Sequence, residues 1–143
     1  MAPKKVEVAE DNEEQKDDDA AEKSRAWPKA DNKMDKELHD IIQRARTLQL
    51  VKKGANETTK ALNRGKADLV ILAADTEPLE IILHLPLLCE DKNVPYVYVK
   101  NQSQLGKSCG VSRNIIAVAI VESDGPLAAD VKRLKDRVEG LLL

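Results

Sequence analysis

The chain has 143 residues and a mass of 15.8 kDa, the size of one ordinary domain and too short for two. It is 42% hydrophobic and 34% charged with a formal net charge of -2, so it holds enough apolar mass for one core and more charge than the globular average of about 25%. Phe is absent and Trp27, Tyr96 and Tyr98 are the only aromatics, which argues against a module that stacks bases on an aromatic sheet; Cys89, Cys109, His39 and His84 are too few for a disulfide framework or a four-ligand Cys/His zinc site.

In chain order, residues 1–26 come first, with five basic and nine acidic side chains, a local charge of -4 that leaves +2 on the rest. Residues 10–19 hold no large apolar side chain, so burial cannot offset their ordering entropy; residues 1–26 are expected to be a disordered acidic tail, either a partner-binding arm or a solubilising appendage. This start is charged and has no signal-peptide core, and no apolar run reaches the roughly 18 residues of a membrane helix. The expectation is a soluble protein of a reducing compartment, cytosol or nucleus.

A folded domain, residues 27–143, is expected to begin near Trp27-Pro28. Met34, Leu38, Ile41, Ile42, Ala45 and Leu48 recur at spacings of three and four, the stripe of an amphipathic helix that Asp31 or Asn32 would cap. Val51-Lys52-Lys53 is a short link or strand. Residues 56–64 read as a second helix stopped by Gly65. The continuous apolar run at residues 69–74 is a strand covered on both faces. Glu77-Pro78 opens a third helix, apolar through Leu88 and kinked or shortened by Pro86. Residues 94–99 form a second buried strand, 102–109 a short helix, and 115–121 a third strand. Gly125-Pro126 breaks the chain before a last helix lined by Leu127, Val131, Leu134, Val138 and Leu141. Helices alternating with strands predict an α/β fold, a three-layer α/β/α sandwich.

The chemistry concentrates at one helix start and one loop. In Lys52-Lys53-Gly54-Ala55-Asn56-Glu57-Thr58-Thr59-Lys60, Gly54 permits a sharp turn or a close ligand, and the amides after it are unpaired helix-start donors. Asn56, Lys60 and Asn63 share one helix face with Glu57 beside them, while Ala55, Thr59 and Leu62 turn to the core. An amide reads a purine edge and a lysine meets phosphate. A carboxylate belongs near phosphates only as an acceptor, for instance from the N1–H and N2–H of an unpaired or sheared guanine. Equally, Glu57 is a first-turn acid favoured by the helix dipole, with Lys60 as its i+3 partner. In the loop Val111-Ser112-Arg113, Arg113 suits phosphate or a base plane and Val111 suits a splayed-out nucleotide, or both are ordinary turn residues.

Other signals carry less. Gly106-Lys107-Ser108 ends like a phosphate-binding loop, but Asn101 stands where the first glycine would be. His84 reads as a packing or surface histidine, Cys89 and Cys109 as buried thiols, and Asp75, Glu77 and Glu80 as capping and helix-start acids. No catalytic constellation emerges, and no cofactor or metal is expected.

Three blocks in order, Lys53-Gly54-Ala55-Asn56-Glu57 through Arg64-Gly65, Ala73-Ala74-Asp75 through Pro95-Tyr96, and Leu105-Gly106 through Gly110-Val111-Ser112-Arg113, resemble the signature of kink-turn RNA-binding proteins. That family includes large-subunit ribosomal proteins and small-ribonucleoprotein core proteins. The resemblance spans residues 27–143, and its last block is most like the eukaryotic members shared by box C/D small nucleolar ribonucleoproteins and the spliceosomal tri-snRNP. It implies a three-layer fold with a mixed central sheet. It also implies that Gly54, Asn56, Glu57 and Lys60 contact tandem sheared G·A pairs, with Lys53 and Lys60 on the backbone. Glu77, Ile81, Val111, Arg113 and Ile116 would surround an extruded nucleotide. Asn114 replaces a usual proline, implying a less rigid loop, and Gln102 replaces a cation of some relatives, implying one phosphate contact fewer.

The implied function is RNA binding without catalysis. Kink-turns of box C/D snoRNA and spliceosomal snRNA would be stabilised to nucleate assemblies for rRNA 2′-O-methylation and pre-mRNA splicing. Nop-domain proteins are the implied protein partners, the free protein is expected to be a monomer, and the place is the nucleus and nucleolus. Two alternatives stand beside it: a ribosomal or box H/ACA paralogue, against which the Gly110–Arg113 loop argues, and a Rossmann-like small nucleotide-binding enzyme, which lacks its Gly-rich loop and acid–base pair.

Overall fold

The computed structural model describes residues 28–76 and 82–141. The acidic tail, Trp27, and the expected site residues Glu77 and Ile81 lie outside the described residues. Helix α1 runs over Asn32–Thr47, strand β1 over Val51–Lys53, α2 over Ala55–Asn63 and β2 over Ala67–Ala73. Then follow α3 (His84–Asp91), β3 (Tyr96–Val99), α4 (Gln102–Ser108), β4 (Ala117–Val121) and α5 (Ala128–Leu141). The sheet order is β1-β4-β2-β3, with β4 antiparallel to β1 and β2, and β2 parallel to β3. The sheet is therefore mixed, as expected.

Helix α1 forms because its apolar residues repeat at helical spacing and its start is closed. The Asp31 carboxylate accepts the Met34 N–H at 2.8 Å, and Met34, Leu38, Ile41, Ile42 and Ala45 are buried. Leu48 departs from the expected stripe and is 44% exposed. It is the C-cap, and the chain turns away behind it at Gln49 (φ 60), whose neighbour Leu50 donates to Ala45 O at 2.9 Å. Helix α2 closes in the same way, Lys66 N–H donating to Ala61 O at 3.0 Å past Gly65.

Strand β2 is covered on both faces, as its unbroken apolar run predicts. Leu69, Ile71 and Ala73 point into a core shared with α1, α4 and α5; Val70 and Leu72 point into a second core shared with α2 and α3. These two cores make the molecule three layers deep. Replacing Ile71, which is fully buried, by alanine is expected to cost about 2–5 kcal/mol. Helix α3 runs over His84–Asp91, past the expected end at Leu88, and the expected start at Glu77-Pro78 lies outside the described residues. Pro86 falls in its first turn, where a missing N–H breaks no helical bond, and the helix continues past it to Asp91.

Chain segment 28–30 covers the outer edge of β3: Tyr98 N–H donates to Pro28 O at 2.8 Å and Ala30 N–H to Tyr98 O at 2.9 Å. The opposite edge is the three-residue β1, which leads directly into α2. Among the described residues no helix is long and apolar enough to cross a membrane.

Candidate nucleic-acid interface

The start of α2 is held against the sheet by one bond: Gly54 N–H donates to Ala117 O at 2.7 Å. Gly54 sits at φ 91, ψ 160, a conformation that side chains rarely adopt, and open space lies where its Cβ would be. No side chain caps this end, so the first-turn amides stay available to a ligand. Asn56, Glu57, Lys60 and Asn63 are exposed, as the helical spacing predicts. The core-facing set is corrected by one position: Thr58, Ala61 and Leu62 are buried, whereas Thr59 is half-buried and turns its hydroxyl back to Ala55 O at 2.8 Å.

Glu57 and Lys60 approach within 3.5 Å, so the i+3 pairing open at the level of sequence is present. Both side chains are more than half exposed, and such a pair is worth about 0–1 kcal/mol, too little to hold either from a ligand. Beside them a cavity of about 200 Å³ carries Lys52, Lys60, Arg64 and Lys66 around the single carboxylate of Glu57. Arg64 and Lys66 stand here without having been singled out from sequence; their signal was two cations flanking the glycine that ends α2.

The second half of the site is the loop after α4. It folds back onto its own helix, and a Cβ on Gly106 would strike the Arg113 carbonyl. That close approach explains the glycine of the failed phosphate-loop pattern. Val111 is half-buried against the first core, Arg113 is exposed, and Ile116 is half-buried against the second core. Ile116 O accepts the Ala73 N–H at 2.9 Å, one residue before the Ala117 carbonyl that anchors Gly54. Gly54, Ile116 and the end of β2 therefore meet at one end of the sheet. Asp75, at that same end, accepts the Gln102 N–H at 2.9 Å and so fixes the start of α4. Asn114, in the same loop, is exposed.

Two further features carry less for this end. Cys89 and Cys109 are buried; burial, with Glu90 adding to it, pushes the Cys89 thiol up to about 12, and burial pushes Cys109 up to about 11 against the pull of Lys53 and Arg46. Both thiols stay protonated at neutral pH and are poor nucleophiles. A larger cavity of about 640 Å³ lies between α1 and α4 and is lined by both signs of charge, among them Asp35, Lys36, Asp40, Lys100 and Lys107. Beneath it His39 Nδ1 and Ser108 Oγ share a 2.7 Å hydrogen bond, and His39 Nε2 lies 3.0 Å from Asp35 Oδ1, off the line of a hydrogen bond. Asp35 also accepts the Lys100 N–H at 3.1 Å. The order Asp–His–Ser has the look of a nucleophile relay. Ser108, however, is 3% exposed and sits in the last turn of α4, where the helix dipole disfavours an oxyanion. The chain of contacts ties α1 to α4. Among the described residues no cluster of His, Cys, Asp and Glu could hold a metal ion.

Residues 36–128 match the ribosomal protein L7Ae/L30e/S12e/Gadd45 family. The chain is similar to the small nuclear ribonucleoprotein associated homolog 13 of Caenorhabditis elegans, 50% identical over 120 residues that make up 83% of this chain and 94% of the relative. It is similar to NHP2-like protein 1 of Xenopus tropicalis, 52% identical over 120 residues, with the same coverage of 83% and 94%. Among solved structures it resembles the Giardia lamblia 15.5kD RNA binding protein, with a TM-score of 0.79 and 46% identity over 82% of this chain and 97% of that one.

Proposed function

Because this chain belongs to the ribosomal protein L7Ae/L30e/S12e/Gadd45 family, we propose that it binds kink-turn RNA at the open start of α2 and the adjoining loop. The observation that carries this reading is the uncapped helix end at Gly54, which presents Asn56, Glu57 and Lys60 on one exposed face. Sheared G·A pairs lay open guanine edges that a regular A-form helix hides. In this reading the Glu57 carboxylate accepts the two guanine N–H donors, Asn56 reads the neighbouring purine, and Lys53 and Lys60 meet phosphates. Val111, Arg113 and Ile116 line the place of an extruded nucleotide, with Glu77 and Ile81 assigned to the same place by resemblance.

A protein that fits only the bent form shifts the RNA population toward it, by no more than its differential affinity for the two forms. The bent RNA and the protein surface together then form a platform for a second protein, a Nop-domain protein in this reading. Names of relatives that speak of ribonucleoproteins and of RNA binding support RNA as the partner. We assign the RNAs to box C/D snoRNA and spliceosomal snRNA, the work to assembly for rRNA 2′-O-methylation and splicing, and the place to the nucleus and nucleolus. The role is binding, with no reaction assigned.

The test is a pair of RNAs of equal length, one with tandem G·A pairs in a kink-turn and one a straight duplex. The protein should prefer the first, and Glu57→Ala should cost about 1–3 kcal/mol of that affinity, the worth of a two-donor base contact. Equal binding of the two RNAs refutes the reading; an intact affinity in Glu57→Ala reduces Glu57 to a dipole partner.

A further inference from the structure

Arg46 lies in the last turn of α1, eight residues before Gly54, and is exposed. Two observations single it out. First, it reaches across to the far half of the site: a Cβ built on Gly110 would overlap its guanidinium. Gly110, at φ +76, is thus a glycine on two counts, its backbone and the cation lying over it. Second, Arg46 lines a cavity of about 360 Å³ with Gln49, Val51, Lys52 and Lys53, three cations and no carboxylate. Two residues earlier, Arg44 is engaged by Asp130 at 2.8 Å, whereas among the described residues no carboxylate pairs with Arg46. Arg46 and Lys53 also act together on the Cys109 thiol, which places both cations near the end of α4.

Resting on the reading proposed above, we infer that Arg46 is a further RNA-binding residue: its guanidinium, laid across Gly110, holds a backbone phosphate in the cavity it shares with Lys52 and Lys53, and so bridges the start of α2 and the loop 111–113. Arginine suits this task because its long side chain passes close over a residue without a side chain while its fork of several donors can still meet a phosphate. The ligand class is an RNA phosphodiester, and the cavity's lack of carboxylates separates it from the one around Glu57, which carries the base-reading acid. The same contact sets Arg46 directly beside the start of the loop, at Gly110.

The test uses the full chain and the same two RNAs, with affinity measured over a series of KCl concentrations. Arg46→Gln should weaken kink-turn binding about fivefold, as expected for one exposed charge-assisted contact, and make the log–log salt dependence shallower by about 0.7–0.9. Arg46→Lys should keep the parent's slope. Arg133→Gln, a loss of the same charge on α5 at a side chain 71% exposed, should leave the slope unchanged. Parent affinity and slope in Arg46→Gln overturn the inference while leaving the functional reading intact. A weaker Arg46→Gln with the parent's slope overturns the phosphate contact, and an equal flattening in Arg133→Gln reduces the effect to net charge. A parent protein that binds straight and bent RNA equally refutes the functional reading and this inference with it.

Discussion

Helices α1 and α4 begin sealed, and α2 begins open. Asp31 accepts the Met34 N–H at 2.8 Å, and Asn101 accepts the Gln104 N–H at 2.8 Å while Asp75 takes Gln102. At Gly54 no side chain does either task. A cap contributes about 0.5–2 kcal/mol, so leaving α2 bare forgoes stability that the other two starts obtain. Helix α3 also lacks a side-chain cap, but its N-cap Leu83 packs against the second core, so it is the exposed polar face around the bare start of α2 that leaves donors for a ligand's acceptors.

That contrast breaks in three places, in falling order of effect. Gly54→Ala keeps the open space but not the backbone angle. It should cost about 1–3 kcal/mol in unfolding experiments and at least about tenfold in kink-turn affinity. Both values at parent level would show that the end is not set by Gly54. Asp31→Ala opens a sealed start far along the chain from the site; denaturant titration should show a loss of about 1 kcal/mol, with RNA affinity unchanged. Lys60→Ala leaves the open end in place and removes one cation. Stability should stay within about 0.5 kcal/mol, and the salt dependence of RNA binding should flatten by about one unit; an unaltered slope would deny Lys60 its phosphate.

What sequence could announce was whatever depends on neighbours. The α1 stripe and the exposed face of Asn56, Lys60 and Asn63 follow from spacing of three and four, the two-sided burial of β2 from an unbroken apolar run, and the stop from the glycine at 65. Leu48 fitted the stripe and missed the core because a C-cap residue has already left the helix. Thr58 and Thr59 were exchanged because helical spacing fixes a face only to within one residue at a short helix. The remaining contacts join distant residues: Ser108 meets His39 across 69 positions and Gln102 meets Asp75 across 27. Nothing in the sequence marks Arg46 beyond a cation in a last turn, where the helix dipole favours it; its approach to Gly110 is made by the fold alone.

Strand β4 lies between β1 and β2, and its Ala119 pairs with Val70, about fifty residues earlier. The carbonyls of Ile116 and Ala117 that anchor the binding end lead into this late-synthesised strand. During translation, then, the proposed RNA-binding end has no partial version: it is complete only once β4 has left the ribosome and paired between β1 and β2, because a chain cut before Ala117 has no carbonyl to anchor Gly54.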